Sequence, residues 1–183
     1  MSGERRHQIL RVAITLFARG GPRATRVAEV AKLAHVAVGT VYLEFPSKDA
    51  LLGAVAKQML GEVAQAMESA LEHQGSFSER FAALFDARFD AYVELLTSKR
   101  GQNLFESRCC GTIRQARSAH LAEEQRIVNE LLEAQGVARP QQDAERLLDA
   151  YAAFAPPLLT LDSADARRAR LPEMHAFLLR TFA

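Results

Sequence analysis

Hydrophobic positions along this chain recur at spacings of three and four, the signature of helices with one buried face, and no stretch alternates in twos as a strand would. Ile9, Val12, Ala13, Leu16 and Phe17 share one face of a helix predicted over residues 4–19, and Arg5, Arg6 and Arg11 fall elsewhere. Gly20-Gly21-Pro22 ends it, because glycine permits a left-handed cap and proline cannot continue a helix. Thr25 is the expected N-cap of the next helix, which buries Val27, Val30, Ala31 and Ala34 and carries Glu29 near its positive end. Val36 and Val41 extend the same small core across a break at Ala34-His35-Val36, and Phe45 closes it. Ser47 is the expected N-cap of a fourth helix, with Asp49 in its first turn.

From Ser47 this helix is expected to run to about Glu72, passing Gly53 and Gly61. Ser76-x-x-Glu79 reads as a capping box opening a helix to about Thr97. Shorter helices are expected over 102–110 and over 118–135, the latter ending at Gly136. Pro140, suited to a first helical position, opens another to Phe154, where Ala155-Pro156-Pro157 breaks it. Ser163 and Asp165 are the expected caps of a last helix that Pro172 kinks or interrupts. The expected fold is all-α, of eight to ten helices with short joints.

Charge changes this picture more than composition does. Residues 1–48 hold eight basic and three acidic groups, a balance of +5, and residues 49–183 hold 15 basic and 19 acidic groups, a balance of −4. A basic N-terminal quarter on an acidic body points one end toward a polyanion. The short helices around residues 27–34 and 37–43 have the layout of a helix-turn-helix, whose second helix reads base edges. Yet Ala37, Val38, Gly39, Thr40, Val41, Tyr42 and Leu43 include no Arg, Asn or Gln.

Residues 5–52 resemble the DNA-binding domain of the TetR family of one-component regulators. The family pattern "ILxAAxxLFxxxG" followed by "TTVxxIAxxAGVSxGTLYxHFxSKxxLL" is met, in order and without gaps, by RRHQILRVAITLFARGG and TRVAEVAKLAHVAVGTVYLEFPSKDALL. The resemblance implies an N-terminal three-helix helix-turn-helix domain, residues 1–48, and a larger helical ligand-binding and dimerisation domain, residues 49–183. It implies a homodimer on double-stranded DNA, a palindromic operator whose half-sites lie roughly 34–36 Å apart, and repression relieved by a small hydrophobic or aromatic effector. It places Thr25, Tyr42 and Lys48 on phosphates, with Arg26 in reach and Arg5, Arg6 and His7 as a mobile basic arm. Base reading falls to Val38, Gly39, Thr40 and Leu43, with Ala28 on the preceding helix; Val38 and Leu43 can touch thymine methyl groups or complete the small core. His35 stands where the family has a turn glycine, Ala37 where it has a capping serine, and Glu44 where it has histidine. Glu44 must therefore turn away from phosphate or meet a basic side chain.

Phe77, Phe81, Phe85 and Phe89 recur every four residues, with Tyr92 beyond, either as bundle core or as the aromatic wall of an effector pocket. Phe105, Cys109, Ile113, Tyr151 and Phe154 are further candidate lining residues. By the same resemblance the last two helices form a four-helix interface between subunits. Adjacent Cys109 and Cys110 beside Arg108 admit a redox sensor or a small buried residue with an incidental neighbour. An enzyme with one of them as nucleophile and His120 as base has no motif behind it. His120, Glu123 and Glu124 make a weak metal set. The expectation is no cofactor, no metal, no catalytic residues and no membrane partner. No apolar run reaches the ~18 residues of a membrane span, and a signal core is absent at the N-terminus, which makes the cytoplasm the expected location.

Overall fold

The computed structural model describes residues 2–106 and 111–182. Among the described residues it is helical throughout: α1 (Ser2–Ala24), α2 (Val27–Leu33), α3 (Val38–Glu44), α4 (Lys48–Leu71), α5 (Phe77–Thr97), α6 (Lys99–Glu106), α7 (Gly111–Ala134), α8 (Pro140–Ala150) and α9 (Leu161–Leu179), with 3-10 turns at Tyr151–Phe154 and Arg180–Phe182. The chain divides into two compact units, one of residues 1–60 and 97–118, the other of residues 61–96 and 119–183.

In the first unit, α1 packs against α2 and α6, and α2 against α3. Its core is Ile9, Ala13, Leu16 and Phe17 from α1, Val30, Ala31 and Ala34 from the second element, Val41 and Phe45, and Leu51, Leu52, Val55, Ala56 and Met59 from α4. Gly21 breaks the regular helix inside α1 with φ 75° and ψ 163°, where a side chain would be strained. Thr25 does not cap α2. It is buried, and its hydroxyl donates back to the Gly21 carbonyl at 3.0 Å, so the N-cap is Arg26, without a side-chain cap. Residues 5–7 are not an arm either, because α1 starts at Ser2 and Arg6 donates to the Glu44 carbonyl at 2.6 Å while lying 4.2 Å over the Phe45 ring.

The break between α2 and α3 is a Schellman cap. The Val36 N–H bonds the Ala31 carbonyl at 3.0 Å and the His35 N–H bonds the Lys32 carbonyl at 3.2 Å. This geometry needs a left-handed residue, and His35 takes it at φ 50°. Gln8 Nε2 reaches across from α1 to the Ala34 carbonyl at 3.0 Å and holds the turn from outside. Ala37 is the N-cap of α3 and supplies no side-chain bond, as its methyl must. Ser47 does cap α4, its Oγ accepting from the Ala50 N–H at 3.0 Å. Where α7 meets α4, Thr112 Oγ1 donates to the Asp49 carbonyl at 2.9 Å, and a Cβ on Gly53 would sit 2.9 Å from that of Thr112, so only glycine fits.

The second unit is built on aromatic rings. Phe81, Phe85, Phe89, Tyr151 and Phe154 are buried. Phe85 stacks on Tyr151 with centroids 4.0 Å apart, and Phe89 meets Phe154 edge-on at 6.3 Å. The capping box of α5 forms, with the Ser76 N–H donating to Glu79 Oε2 at 2.8 Å and the Glu79 N–H to Ser76 Oγ at 3.4 Å. At α9 the cap is Thr160, with Ser163 as its reciprocal partner, and Pro172 lies inside the helix without interrupting it. The 118–135 helix begins earlier than its periodicity suggests, at Gly111, and the 102–110 helix begins at Lys99.

Inside this unit lies a buried ion pair. Arg88 Nε and Nη2 donate to the two oxygens of Glu124 at 2.8 and 3.1 Å. The Tyr92 hydroxyl donates to Glu124 Oε1 at 2.9 Å and sits 2.9 Å from His120 Nε2, which is therefore the donor of that second pair. Burial pushes the Glu124 carboxyl up, but the Arg88 guanidinium and the bonds from His120 and Arg88 outweigh it and hold it down at about 2. Glu123 instead pairs with Arg126 at 2.8 Å, so His120, Glu123 and Glu124 do not converge. Among the described residues no group of three such side chains is placed to hold a metal.

These contacts set two stability outcomes. His35 is exposed, so His35→Gly relieves the left-handed backbone with little lost packing. It should raise unfolding free energy by about 1 kcal/mol in urea titrations; a loss would contradict the strain. Glu124→Leu leaves a guanidinium buried alone and should cost about 3–5 kcal/mol, while Arg88→Met/Glu124→Leu together should cost far less. Because the folded carboxyl lies below its ordinary 4.5, the pair's contribution is full above that value and fades as pH falls toward about 2. Wild-type stability should therefore drop more steeply between those limits than that of the double variant.

Candidate nucleic-acid interface

The first unit carries fourteen basic and five acidic residues, a balance of +9, and the second nine basic and seventeen acidic, a balance of −8. The division by contacts is thus sharper in charge than the division by sequence position. Residues 97–118 bring Lys99, Arg100, Arg108, Arg114 and Arg117 into the first unit against Glu106 alone. That contribution is invisible along the sequence, since it returns to the N-terminal unit through tertiary packing, of α6 on α1 and of Thr112 on α4.

Within the unit, α3 has one buried residue, Val41. At about 100° per residue, Gly39 and Leu43 stand opposite it and form the outward ridge. Accessibility agrees: Leu43 is 86% exposed, the largest value among the exposed apolar side chains, and Tyr42 and Val38 on its flank are 46% and 42% exposed. On the other flank Thr40 is half-buried. A Cβ on Gly39 would meet no atom within 4 Å. No described residue requires glycine there, so the bare backbone matters only to something that approaches from outside.

Around the ridge, Arg26 and Ala28 are exposed at the start of α2, as are Arg23 and Lys32 nearby in sequence. Lys48, half-buried at the start of α4, places Nζ 3.4 Å from the Arg23 carbonyl. Arg26, Ala28, Val38, Gly39, Tyr42 and Leu43 are thus exposed, and Thr40 and Lys48 half-buried, along α2, α3 and the start of α4. Thr25 stands apart, since its burial and its bond to Gly21 engage the hydroxyl internally. Arg6, expected in a mobile arm, and Gln8, not singled out in the sequence, instead fix the α3 end and the turn. Nothing in a one-dimensional pattern marks these roles, because their partners are backbone carbonyls distant in sequence.

The candidate effector residues lie in a different kind of environment. Phe81, Phe85, Phe89 and Tyr151 pack ring to ring in the second unit. Phe154 also borders a surface cleft of about 240 Å³ with Ala153, Arg167, Arg170, Glu173, Met174 and Phe177. Cys109, Cys110 and the side chain of Phe105 lie outside the described residues. His120, the candidate base, is buried against Tyr92 and Glu124. No helix of the described residues is long and apolar enough to cross a membrane.

The chain is similar to known proteins in its N-terminal residues and in its fold. Residues 9–55 match the family model of bacterial regulatory proteins, tetR family. The fatty acid metabolism regulator protein of Bacillus subtilis (strain 168) is 30% identical over 82 residues, 45% of this chain and 42% of that protein. The HTH-type transcriptional repressor KstR2 of Mycolicibacterium smegmatis is 32% identical over 87 residues, 48% of this chain and 42% of that protein. The matches thus span less than half the length of these curated relatives. In fold, the fatty acid degradation regulator FadR from Bacillus halodurans superposes with a TM-score of 0.66 at 18% identity, covering 96% of this chain and 94% of that one. Over residues 9–55, therefore, this chain is similar to the TetR family of bacterial regulatory proteins.

Proposed function

We propose that the protein is a DNA-binding transcriptional regulator, acting as a repressor that sits on a palindromic operator as a homodimer. The observation that carries this reading is the outward ridge of α3. It is bare at Gly39, apolar at Leu43, flanked by the hydroxyls of Thr40 and Tyr42, and set in a unit of net charge +9. Phosphate neutralisation by Arg26 and Lys48 supplies affinity, the two hydroxyls position the helix on the backbone, and the ridge enters the major groove. The similar proteins named as regulators, one of them an HTH-type transcriptional repressor, support the same reading.

A small hydrophobic or aromatic effector acting on the helical body completes the proposal. Two of the similar proteins carry names that refer to fatty acid metabolism or degradation, which favours an apolar effector. Of the aromatic set Phe81, Phe85, Phe89, Tyr151 and Phe154 in the second unit, the first four are packed ring to ring and Phe154 borders the surface cleft, so the cleft is the proposed entry for such an effector. Pairing of the α8 and α9 faces, near which Leu158, Leu161 and Phe177 are 56%, 42% and 60% exposed, is the proposed dimer contact.

A second reading rests on one observation: Leu33, Val38 and Leu43 are large exposed apolar side chains on a helix-turn-helix without polar base-readers. In that reading the surface docks protein, or the unit holds DNA without sequence preference.

Selection from a random duplex pool separates the two. Enrichment of a palindrome supports the regulator; enrichment of no motif sinks it. On the enriched duplex, Lys48→Ala should weaken binding to every sequence and flatten the slope of log K against log salt by about one unit. Gly39→Ala should leave the melting temperature unchanged or higher, since its Cβ meets nothing and alanine favours a helix, while DNA affinity falls about tenfold or more, the size of losing one well-made base-edge contact. Unchanged affinity would show that no surface approaches α3 closely.

A further inference from the structure

We infer that the outward ridge of α3 reads pyrimidine C5-methyl groups, so that each half-site is recognised through a methyl in the major groove, and that 5-methylcytosine can stand in for the thymine. This rests on the proposal that the unit docks on DNA, and goes beyond it by naming the chemistry of base recognition.

The ridge is defined by what it lacks. Opposite the buried Val41 stand a glycine and a leucine, and neither side chain can donate or accept a hydrogen bond. Leu43 is 86% exposed. Its isobutyl group therefore projects from the helix with almost no internal contact to hold it. Val38 adds a second apolar surface at 42% exposure. In the major groove, the groups that match such a surface are the C5-methyls of pyrimidines, since the other distinguishing edge positions present a donor or an acceptor. Placing an isobutyl group against one of those polar edges would displace water without replacing its hydrogen bonds.

Gly39 lies one turn before Leu43 on the same ridge, and the space its Cβ would fill is empty. A groove edge can approach the backbone there closely enough for Leu43, one turn along, to reach a methyl. The surrounding charge commits the occupant. The apolar ridge sits in a unit of fourteen basic and five acidic residues, among them the exposed Arg23, Arg26 and Lys32. A polyanion that presents methyl groups between its phosphates fits both features, and duplex DNA is such a polymer.

Burying one methyl-sized group is worth about a fourfold change in an equilibrium constant. That is small against phosphate affinity, so it acts on choice of sequence more than on strength of binding. The same methyl is present on 5-methylcytosine and absent from deoxyuridine, which makes the reading sensitive to a single carbon.

The test uses the full chain and the duplex enriched from a random pool. Each thymine of the half-site is replaced in turn by deoxyuridine, which keeps all hydrogen-bonding groups and removes only the methyl. At one or more positions affinity should fall about fourfold per methyl, and restoring the methyl as 5-methylcytosine in a C·G pair should bind tighter than cytosine at that position. Leu43→Ala should abolish the difference between thymine and deoxyuridine while leaving the salt slope unchanged. Since Leu43 is almost wholly exposed, its removal should not shift the melting temperature. If a motif is enriched but every deoxyuridine duplex binds as its thymine parent does, methyl reading is wrong and the DNA-binding proposal stands. If no motif is enriched, both fall.

Discussion

The orientation of α3 depends on two buried side chains. Val41 and Phe45 anchor this seven-residue helix, at 1% exposure each. A helix that short has no stability of its own in water, since isolated helices need about 12–15 residues to be even marginal. It exists because Val41 and Phe45 enter the core made by Val30, Ala31 and α1, and that entry decides which residues face out. Arg6 over the Phe45 ring and Gln8 on the Ala34 carbonyl hold the two ends of the arrangement. The turn at its start is closed by backbone bonds from His35 and Val36, with a left-handed histidine, and is braced by Gln8. Gly39, Leu43 and their neighbours are exposed as a consequence of that packing.

The second unit solves a different problem with different means. It buries a large aromatic set, and within it an arginine–glutamate pair with tyrosine and histidine. Such a pair adds little net stability compared with apolar replacements, but leaving either partner alone is costly. Its effect is to fix how α5 meets α7 in that unit, because the bidentate geometry admits one register. Away from the pair, Asp86 connects to His175 at 3.3 Å, and His175 Nδ1 lies 2.5 Å from the Tyr151 hydroxyl. Polar chains of this kind are specific where an all-aromatic interior would be permissive. The opposite net charges of the two units, +9 and −8, allow a polyanion to select the first over the second.

Much of the fold can be read along the chain, and the reasons are local. The Ser47 cap, the Ser76–Glu79 box and the stop at Gly136 are short-range devices, and all three form as expected. His35 as a strained turn and Ala37 as an empty cap are legible for the same reason. Thr25 defeats a local reading because a threonine two residues before a helix can bond backward as well as forward, and here it bonds back to Gly21. Arg5, Arg6 and His7 suggest an arm because charge suggests solvent, but Arg6 uses its guanidinium on a carbonyl and a ring. The cap of α9 lies three residues before the serine that sequence suggests, since Ser163 is the reciprocal member of Thr160's box. Glu124 cannot be told from Glu123 in sequence; only packing sends one inward to Arg88 and the other outward to Arg126. The basic residues of 97–118 belong to the first unit through tertiary contact, which no local pattern reveals.

The functional reading stands on the exposed ridge of α3 meeting duplex DNA. Titrating a 15N-labelled sample of the protein with duplex, and following backbone amide shifts, tests it most directly. The largest changes should fall on Gly39, Thr40, Tyr42 and Leu43, with smaller ones at Arg26 and Lys48, and they should fade as salt is raised. Changes centred in residues 119–182, or none on α3 at saturating DNA, would contradict it.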